Sequence, residues 1–369
     1  MRIEFSARNH AGETSGDIHG ANLARSLRKQ NPDIRLVGTG GDRMREAGVD
    51  LIEDTTKYAS VGIVEAFHQM HRYTRLYRIL QSALRQHKPD ACILIDFPEF
   101  NLRFAARSVD HGVPVLYYIS PQVWAWRQGR VKTIRRYVRK MLVVFPFEVD
   151  FYRKHGIDAT FVGHPMLDHF QKQDRNHLRN ELNVGDAPLI GLLPGSRSKQ
   201  FKGLFPRMKK VAELVRKEIP DARFVVACAP NIDPEKAKAP GLDVVKGRTA
   251  EVLASSDLLV TTSGTSTVEA ALHGTPMIVT YVTNPISALL LGPLIKVKDY
   301  AMVNILAGRR IMPEYYVFQA KPDLMAQEAI SILKENRLPQ MRKDLEEVQR
   351  ILGGPGASDR AAEEVLKSI

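Results

Sequence analysis

Short apolar runs alternate with helix-period segments from one end of the chain to the other, and few folds accommodate that alternation. In the first half the strand-like runs are Arg2–Ala7, Arg35–Gly38, Ala91–Ile95, Pro114–Ile119, Lys140–Val144 and Thr160–Val162, with helical patterns at Asp17–Gln30, Phe67–His87 and Leu102–His111. In the second half the strands are Leu189–Leu193, Arg223–Ala227, Leu242–Val245, Leu258–Thr261 and Met277–Thr280. Their helices fall at Phe205–Glu218, Ala250–Ser255, Thr267–Leu272, Leu324–Lys334 and Gln340–Leu352. Near-continuous apolar strands separated by helices are the signature of a parallel sheet covered on both faces. The halves meet at 164–187, a polar stretch that follows Gly163-His164-Pro165 and includes Gln171-Lys172-Gln173-Asp174-Arg175-Asn176-His177. The expectation is an α/β protein of two Rossmann-like domains facing a cleft, 1–166 and 167–344. The tail, about 345–369, is broken at Gly353-Gly354-Pro355-Gly356 and is expected to pack back on the first domain, by analogy with other two-domain α/β enzymes. A length of 369 residues, 44% apolar and 25% charged, suits two globular domains.

Several function classes are excluded. The two cysteines, Cys92 and Cys228, sit inside apolar strands, which favours buried thiols in a reducing compartment over a disulfide framework. The chain opens directly on a strand with no secretory leader pattern, and no run of about 18 apolar residues is present. No His, Asp and Glu cluster has metal-ligand spacing. A Walker A loop, a Gly-x-Gly-x-x-Gly fingerprint and a Gly-x-Ser-x-Gly elbow are all absent. The net charge of +12 fits anionic lipids, phosphorylated small molecules or nucleic acid. Zinc-finger spacing and RNA-binding aromatic signatures are missing, so nucleic acid is not expected as a partner. Basic residues gather at Arg127, Arg130, Lys132, Arg135, Arg136, Arg139 and Lys140, and again at Lys199, Lys202, Arg207, Lys209 and Lys210. Either group reads equally as a solvated helix face.

Ligands of parallel α/β sheets bind at the carboxyl ends of strands, so the loops that follow strands hold the candidate chemistry. After Leu258–Thr261 comes Ser263-Gly264-Thr265-Ser266-Thr267-Val268-Glu269, closed by Gly274 and Pro276. Small hydroxyl residues opening a helix present unpaired N–H groups and a positive dipole end to an anion. Glu269, one turn in, can accept hydrogen bonds from sugar hydroxyls; a capped helix with an acidic first turn is the alternative. After Leu189–Leu193 comes Pro194-Gly195-Ser196-Arg197, where Arg197 suits a bidentate grip on phosphate. Two anion loops on one sheet favour a diphosphate site over two helix caps. After Ala91–Ile95 comes Asp96-Phe97-Pro98-Glu99-Phe100-Asn101. Asp96 is placed as a general base or as a helix cap, with Glu99 its rival. After the first strand comes Ala11-Gly12-Glu13-Thr14-Ser15-Gly16-Asp17, where glycines admit close approach and Glu13 can orient a hydroxyl. His164 reads as a hinge or packing residue.

Taken together these loops resemble the lipid-A-disaccharide synthase family of inverting glycosyltransferases. The resembling pieces also include Val61-Gly62-Ile63-Val64-Glu65, Ser120-Pro121-Gln122-Val123-Trp124-Ala125-Trp126-Arg127, Gly163-His164-Pro165 and Asn304-Ile305-Leu306-Ala307-Gly308. They occur in the family's order and span nearly the whole chain; the Trp124-Ala125-Trp126-Arg127 block is the most specific. The resemblance implies a glycosyltransferase-B fold, with an acceptor and lipid domain first and a UDP-sugar domain second. It implies transfer of diacylglucosamine from UDP-2,3-diacylglucosamine to the 6-hydroxyl of 2,3-diacylglucosamine 1-phosphate, giving a β-1,6-linked disaccharide 1-phosphate and UDP. Asp96 would be the base. Arg197, with Gly195 and Ser196, and the loop Ser263, Gly264, Thr265, Ser266 and Thr267 would hold the diphosphate. Glu269 would hold the ribose, Asn304 and Gln319 would line the nucleotide-sugar site, and Gly12, Glu13 and Ser15 would sit on the facing loop, Glu13 among the catalytic groups. No metal and no cofactor are implied, UDP being the leaving group.

A lipid substrate agrees with the stretch from Val61 to Leu84. It mixes Val61, Ile63, Val64, Phe67, Met70, Tyr73, Leu76, Tyr77 and Leu80 with His71, Arg72, Arg75 and Arg78. Such a stretch can lie on an anionic membrane surface or be an ordinary amphipathic core helix. The expected location is cytoplasmic, peripheral on the inner face of the cytoplasmic membrane, with a homodimer left open. The chain departs from the family pattern in the Arg8-Asn9-His10 extension, in Gln200 where an acid is usual, in Val303 before Asn304, and in the longer approach Tyr315-Tyr316-Val317-Phe318 to Gln319. Two other readings stay open: another UDP-sugar enzyme of the same fold, such as a UDP-N-acetylglucosamine 2-epimerase or a cell-wall glycosyltransferase, and a non-catalytic UDP-sugar or lipid-binding relative. The Trp124–Arg127 and Asp96–Asn101 motifs weigh against the first, and the presence of both Asp96 and Arg197 against the second.

Overall fold

The computed structural model describes residues 1–7, 15–55, 65–282 and 296–369, with the backbone alone for 6, 7, 15 and 65–73. Gly12, Glu13, Val61, Ile63 and Val64 lie outside the described residues, as do the side chains of Ser15, Phe67, Met70, His71, Arg72 and Tyr73. The chain divides into two compact units: unit 1 is 1–169 with 352–369, and unit 2 is 170–351.

Unit 1 carries seven strands: β1 (Arg2–Ala7), β2 (Arg35–Gly40), β3 (Asp50–Asp54), β4 (Ala91–Ile95), β5 (Val115–Tyr118), β6 (Lys140–Val143) and β7 (Ala159–Phe161). Its helices are α1 (Ser15–Gln30), α2 (Asp42–Glu46), α3 (Glu65–His87), α4 (Pro98–Asp110), α5 (Arg130–Tyr137) and α6 (Pro146–Lys154). All strand pairs are parallel, in the order β3-β2-β1-β4-β5-β6-β7. Every residue of β4 is buried, as a central strand with helices on both faces requires. One core cluster joins Leu76, Leu80 and Leu84 of α3 to Phe100 and Phe104 of α4 and to Tyr117 of β5. Leu76 and Leu80 therefore belong to the core. That corrects the membrane-facing role the amphipathic stretch offered them, because their 3.6-residue spacing serves either surface equally well.

Unit 2 carries α7 (Arg175–Glu181), β8 (Leu189–Leu193), α8 (Ser198–Glu218), β9 (Arg223–Cys228), β10 (Asp243–Lys246), α9 (Thr249–Ser255), β11 (Leu258–Thr262), α10 (Thr265–His273), β12 (Met277–Tyr281), α11 (Met302–Ala307), β13 (Glu314–Tyr316) and α12 (Pro322–Lys334). Its sheet is parallel, in the order β10-β9-β8-β11-β12-β13. Helix α13 (Leu338–Leu352) follows, and α14 (Ala357–Ser368) returns to unit 1. There Asp168 accepts hydrogen bonds from the backbone N–H groups of Gly356, Ala357 and Ser358 at 2.7, 2.9 and 2.9 Å and from the Ser358 hydroxyl at 2.6 Å. A carboxylate at a helix N-terminus satisfies donors that the helix itself cannot.

The polar segment 164–187 is more than a linker. It contains α7, whose Arg179 donates to the Asp257 carboxylate at 3.0 Å and to the carbonyls of Gly185 and Ala187 at 2.8 and 2.9 Å. Asp257 also receives Arg175 and the Leu189 N–H, so these charges fasten α7 to the start of the sheet. Strands β3 and β13 lie at sheet edges, and neither shows the continuous apolar run by which central strands are recognised. Among the described residues no helix is long and apolar enough to cross a membrane.

One buried group works against the fold. Glu4, in the central strand β1, stands opposite Cys92 of β4 and is 1% exposed, with no hydrogen-bond partner for either carboxyl oxygen among the described residues. Burial pushes its pKa from the ordinary 4.5 up to about 8. A raised carboxyl pKa means that the stability present below pH 4.5 is lost progressively as pH rises towards 8 and stays lower above it. Glu4→Gln is therefore expected to flatten the dependence of the urea midpoint on pH between these limits and to raise stability at pH 8 by a few kcal/mol at most. Equal slopes in the two proteins would show that Glu4 is solvated.

Candidate active site at the strand switch points

In unit 2 the strand order reverses between β8 and β11, which pair side by side with Leu193 opposite Thr261. Connections leaving such neighbours on opposite faces open a crevice at their carboxyl ends. The two expected anion loops, Pro194–Arg197 and Ser263–Thr267, leave these two strands. Gly195, with φ 101°, is where they abut: a Cβ there would come 2.9 Å from Gln200 Oε1 and 3.3 Å from Thr262 Cγ2. Arg197 occupies the N-cap of α8 with an extended backbone and is exposed. Asn231, on the loop after β9, donates to the Ser196 carbonyl at 2.9 Å and supports the turn from its far side. No sequence motif flagged Asn231.

The second loop is built around Gly264, whose φ of 151° and ψ of −161° belong to a region essentially reserved for glycine. No side chain caps the α10 N-terminus. The nearby hydroxyls turn back onto the loop. Thr267 Oγ1 donates to the Gly264 carbonyl at 2.8 Å, Ser266 Oγ to the Thr262 carbonyl at 3.3 Å and Ser263 Oγ to the Tyr300 carbonyl at 3.2 Å. Gly264 and Thr265, at the start of α10, are exposed, whereas Thr267 and Val268 behind them are buried. Glu269 is half-buried, has no hydrogen-bond partner among the described residues, and has its pKa raised by burial. A carboxylate so placed gains from ligand hydroxyls that would donate to it.

Asn304 departs from its expected part. It is 1% exposed, and its amide nitrogen donates to the Met312 carbonyl at 2.8 Å and to Glu314 Oε1 at 2.5 Å. Its oxygen accepts from the N–H groups of Ile311 and Met312, both at 2.9 Å. All four hydrogen-bonding positions of the amide are filled, so Asn304 organises the loops instead of meeting a nucleotide sugar through them. Glu314, which the sequence did not single out, completes this brace by accepting from the N–H groups of Tyr300 and Ala301 at 3.0 and 2.9 Å. The brace fixes Tyr300, whose carbonyl holds Ser263 and whose ring lies 4.4 Å from that of Tyr316. Gln319 is exposed on the loop after β13, two strands from β11.

In unit 1 the order reverses between β1 and β4, and Asp96 follows β4 directly. Both Asp96 (φ 47°) and Phe97 (φ 45°) adopt left-handed backbone, costly for non-glycine residues and especially for a bulky one. The Asp96 carbonyl receives the Asn101 amide at 2.7 Å and the Tyr117 hydroxyl at 2.5 Å, and Asn101 also donates to the Ile95 carbonyl at 3.1 Å. Burial first, and then the Asp96 charge, hold the Tyr117 hydroxyl well above the usual phenol range, so it stays a donor. Pro98 starts α4 with a preset φ. The result is an elbow that exposes the Asp96 side chain at the carboxyl end of a buried strand. The rival, Glu99, is already engaged: Arg130 donates to its Oε1 at 2.7 Å and Arg127 at 3.4 Å. Burial raises the Glu99 pKa, but the Arg130 hydrogen bond and both arginine charges outweigh it and leave the carboxyl below its ordinary range. Trp124 is internal, donating to the buried Glu148 at 3.1 Å. His164 caps a short 3-10 helix by accepting from the Met166 N–H at 3.3 Å, as a packing residue would.

Two Rossmann-type parallel sheets with strand order 3-2-1-4-5-6, extended by β7 in unit 1, are those of the glycosyltransferase-B fold. Solved structures of that fold align along the full length. Among them are a UDP-N-acetylglucosamine 2-epimerase from Neisseria meningitidis bound to UDP-GlcNAc (TM-score 0.64, 12% identity, 100% of both chains) and MurG from Acinetobacter baumannii (TM-score 0.60, 15% identity, 99% of both). The family model described as lipid-A-disaccharide synthetase matches residues 9–368, and the chain belongs to this family. Lipid-A-disaccharide synthases of Syntrophus aciditrophicus and of Anaeromyxobacter sp. strain K are 39% and 41% identical over 369 and 365 residues, covering 97% and 96% of this chain and 96% and 95% of theirs. It is thus a glycosyltransferase of lipid A biosynthesis.

Gly264 tests the unit 2 loop by backbone alone, since no neighbour lies within 4 Å of a Cβ built there. Gly264→Ala is expected to destabilise the protein by roughly 1–3 kcal/mol, seen as a lower thermal midpoint in scanning calorimetry.

Proposed function

We propose that this chain transfers the diacylated glucosaminyl group of UDP-2,3-diacylglucosamine to the 6-hydroxyl of 2,3-diacylglucosamine 1-phosphate, with inversion at the anomeric carbon. Asp96 accepts the 6-hydroxyl proton as that oxygen attacks the anomeric carbon. The bond to the diphosphate oxygen breaks with its electron pair, UDP leaves, and a β-1,6 linkage remains. Arg197 and the first turn of α10 meet the charge that grows on the leaving diphosphate, which requires no metal or cofactor. Glu269 accepts the ribose hydroxyls, and Glu13 and Ser15 contribute to the acceptor side. The exposed arginines of α3, Arg75 and Arg78, would meet the anionic inner face of the cytoplasmic membrane, where both substrates reside.

The observation that carries this reading is that Pro194–Arg197 and Ser263–Thr267 leave the neighbouring strands β8 and β11 at the switch point of one sheet. Asp96 is favoured over Glu99 because two guanidinium groups hold Glu99 as an ion pair with reduced proton affinity. The decisive assay incubates the protein with both substrates and looks for the disaccharide 1-phosphate by mass spectrometry. Asp96→Ala is expected to lower kcat by at least about 100-fold with UDP binding intact. Near wild-type turnover would remove Asp96 from the role. Arg197→Ala is expected to weaken UDP binding about tenfold or more by calorimetry, and unchanged affinity would count against the diphosphate cradle.

A further inference from the structure

A pair of arginines beside the Asp96 elbow has a geometry that the transfer step does not use. Arg127 and Arg130 both donate to one oxygen of Glu99, Oε1, in the first turn of the helix that Asp96 opens. Arg127 adopts a left-handed backbone, φ 52°, an uncommon conformation for a non-glycine residue. Its guanidinium carbon lies 4.4 Å from the centroid of the Trp126 ring, with that of Arg130 at 6.0 Å. The cation–π contact holds the Arg127 guanidinium by the ring, and the hydrogen bonds to Glu99 orient both groups. The Arg130 side chain is only 21% exposed, while that of Glu99 is 51% exposed. Two guanidinium groups against one carboxylate leave a net positive charge. Helix α5 adds Lys132, Arg135 and Arg136 and has no acid in its first turn. A mere surface ion pair needs neither the strained residue nor the aromatic platform.

We infer that Arg127 and Arg130, fixed on Trp126, form a phosphate-monoester subsite that reads the 1-phosphate of the acceptor sugar, with Glu99 as the internal anion the phosphate displaces. A dianionic phosphate offers more acceptor oxygens and more charge than a carboxylate, so it wins the two guanidinium groups once it is delivered on the correct sugar. This inference rests on the acceptor proposed above.

The test compares 2,3-diacylglucosamine 1-phosphate with its dephosphorylated form as acceptors, in neutral detergent micelles that offer no anionic lipid headgroup. The expected result is a wild-type preference for the phosphorylated acceptor. In Arg127→Ala/Arg130→Ala the KM for that acceptor rises about tenfold or more while kcat/KM for the dephosphorylated one stays within about twofold. Glu99→Gln, which removes the competing charge without removing a donor, lowers the KM for the phosphorylated acceptor only. Equal use of both acceptors by the wild-type protein would overturn the subsite, and so would an equal loss on both in the double variant. Absence of disaccharide from either acceptor would instead overturn the proposed reaction.

Discussion

In each sheet the first strand lies in the interior, with its successors on one side and the fourth strand on the other, and that single reversal determines where chemistry can occur. Right-handed crossovers send the connections after β1 and β4, and after β8 and β11, to opposite faces. The backbone therefore parts at their carboxyl ends, and only there can a ligand reach the loops without displacing a helix. Asp96 follows β4, Arg197 follows β8 and Gly264 follows β11. Strands β4, β8 and β11 are buried along their whole length, so the positions of these loops are held by the cores and not by the loops themselves.

The loops in turn hold conformations that a free chain would leave. Asp96 and Phe97 are left-handed, and Gly264 lies where only glycine is at ease. Strain of this kind persists only where the surroundings over-determine it. At Asp96 they do so through the backbone: Tyr117 and Asn101 both donate to its carbonyl, and the Asp96 N–H continues the ladder to Tyr118 at 3.1 Å. Three polar contacts thus fix the peptide while the carboxylate stands outside the core. Asn304 and Glu314 do the same for the Tyr300 loop, which carries the Ser263 contact. In both units buried polar groups with their hydrogen bonds made hold the backbone of a loop that follows a central strand.

That arrangement explains what the sequence could and could not disclose. The central strands are legible because burial on both faces demands an unbroken apolar run, and the turns after β8 and β11 because glycine beside hydroxyls marks a strand end. The edge strands β3 and β13 and the short helix α7 are not, since none needs the pattern by which longer or central elements are found. The same blindness affects side-chain roles. The family resemblance implies a ligand contact for Asn304, yet the four hydrogen bonds that make it a brace come from residues up to ten positions away. Tyr117 lies within a strand and bears no motif, although a buried tyrosine hydroxyl usually finds an acceptor. Leu76, Leu80 and Leu84 repeat at helical spacing, which a core and a membrane surface require alike.

Charge is where sequence counting misleads most. A surplus of twelve positive groups describes the chain, but its arginines do different work. Arg175 and Arg179 anchor α7 to Asp257, and Arg248 bridges Glu181 and Glu251. These pairs lock elements together and offer little to a ligand. The cations that can act on an anion are those whose geometry is fixed while their charge is incompletely matched. Arg127 and Arg130 meet that condition, sharing one carboxylate oxygen against an aromatic face. Glu99 stands three residues from Asp96 and carries the same functional group, so the distinction between them is not chemical identity but company. Guanidinium neighbours commit the Glu99 carboxyl to charge balance, while a strained elbow at the end of a buried strand sets the backbone of Asp96.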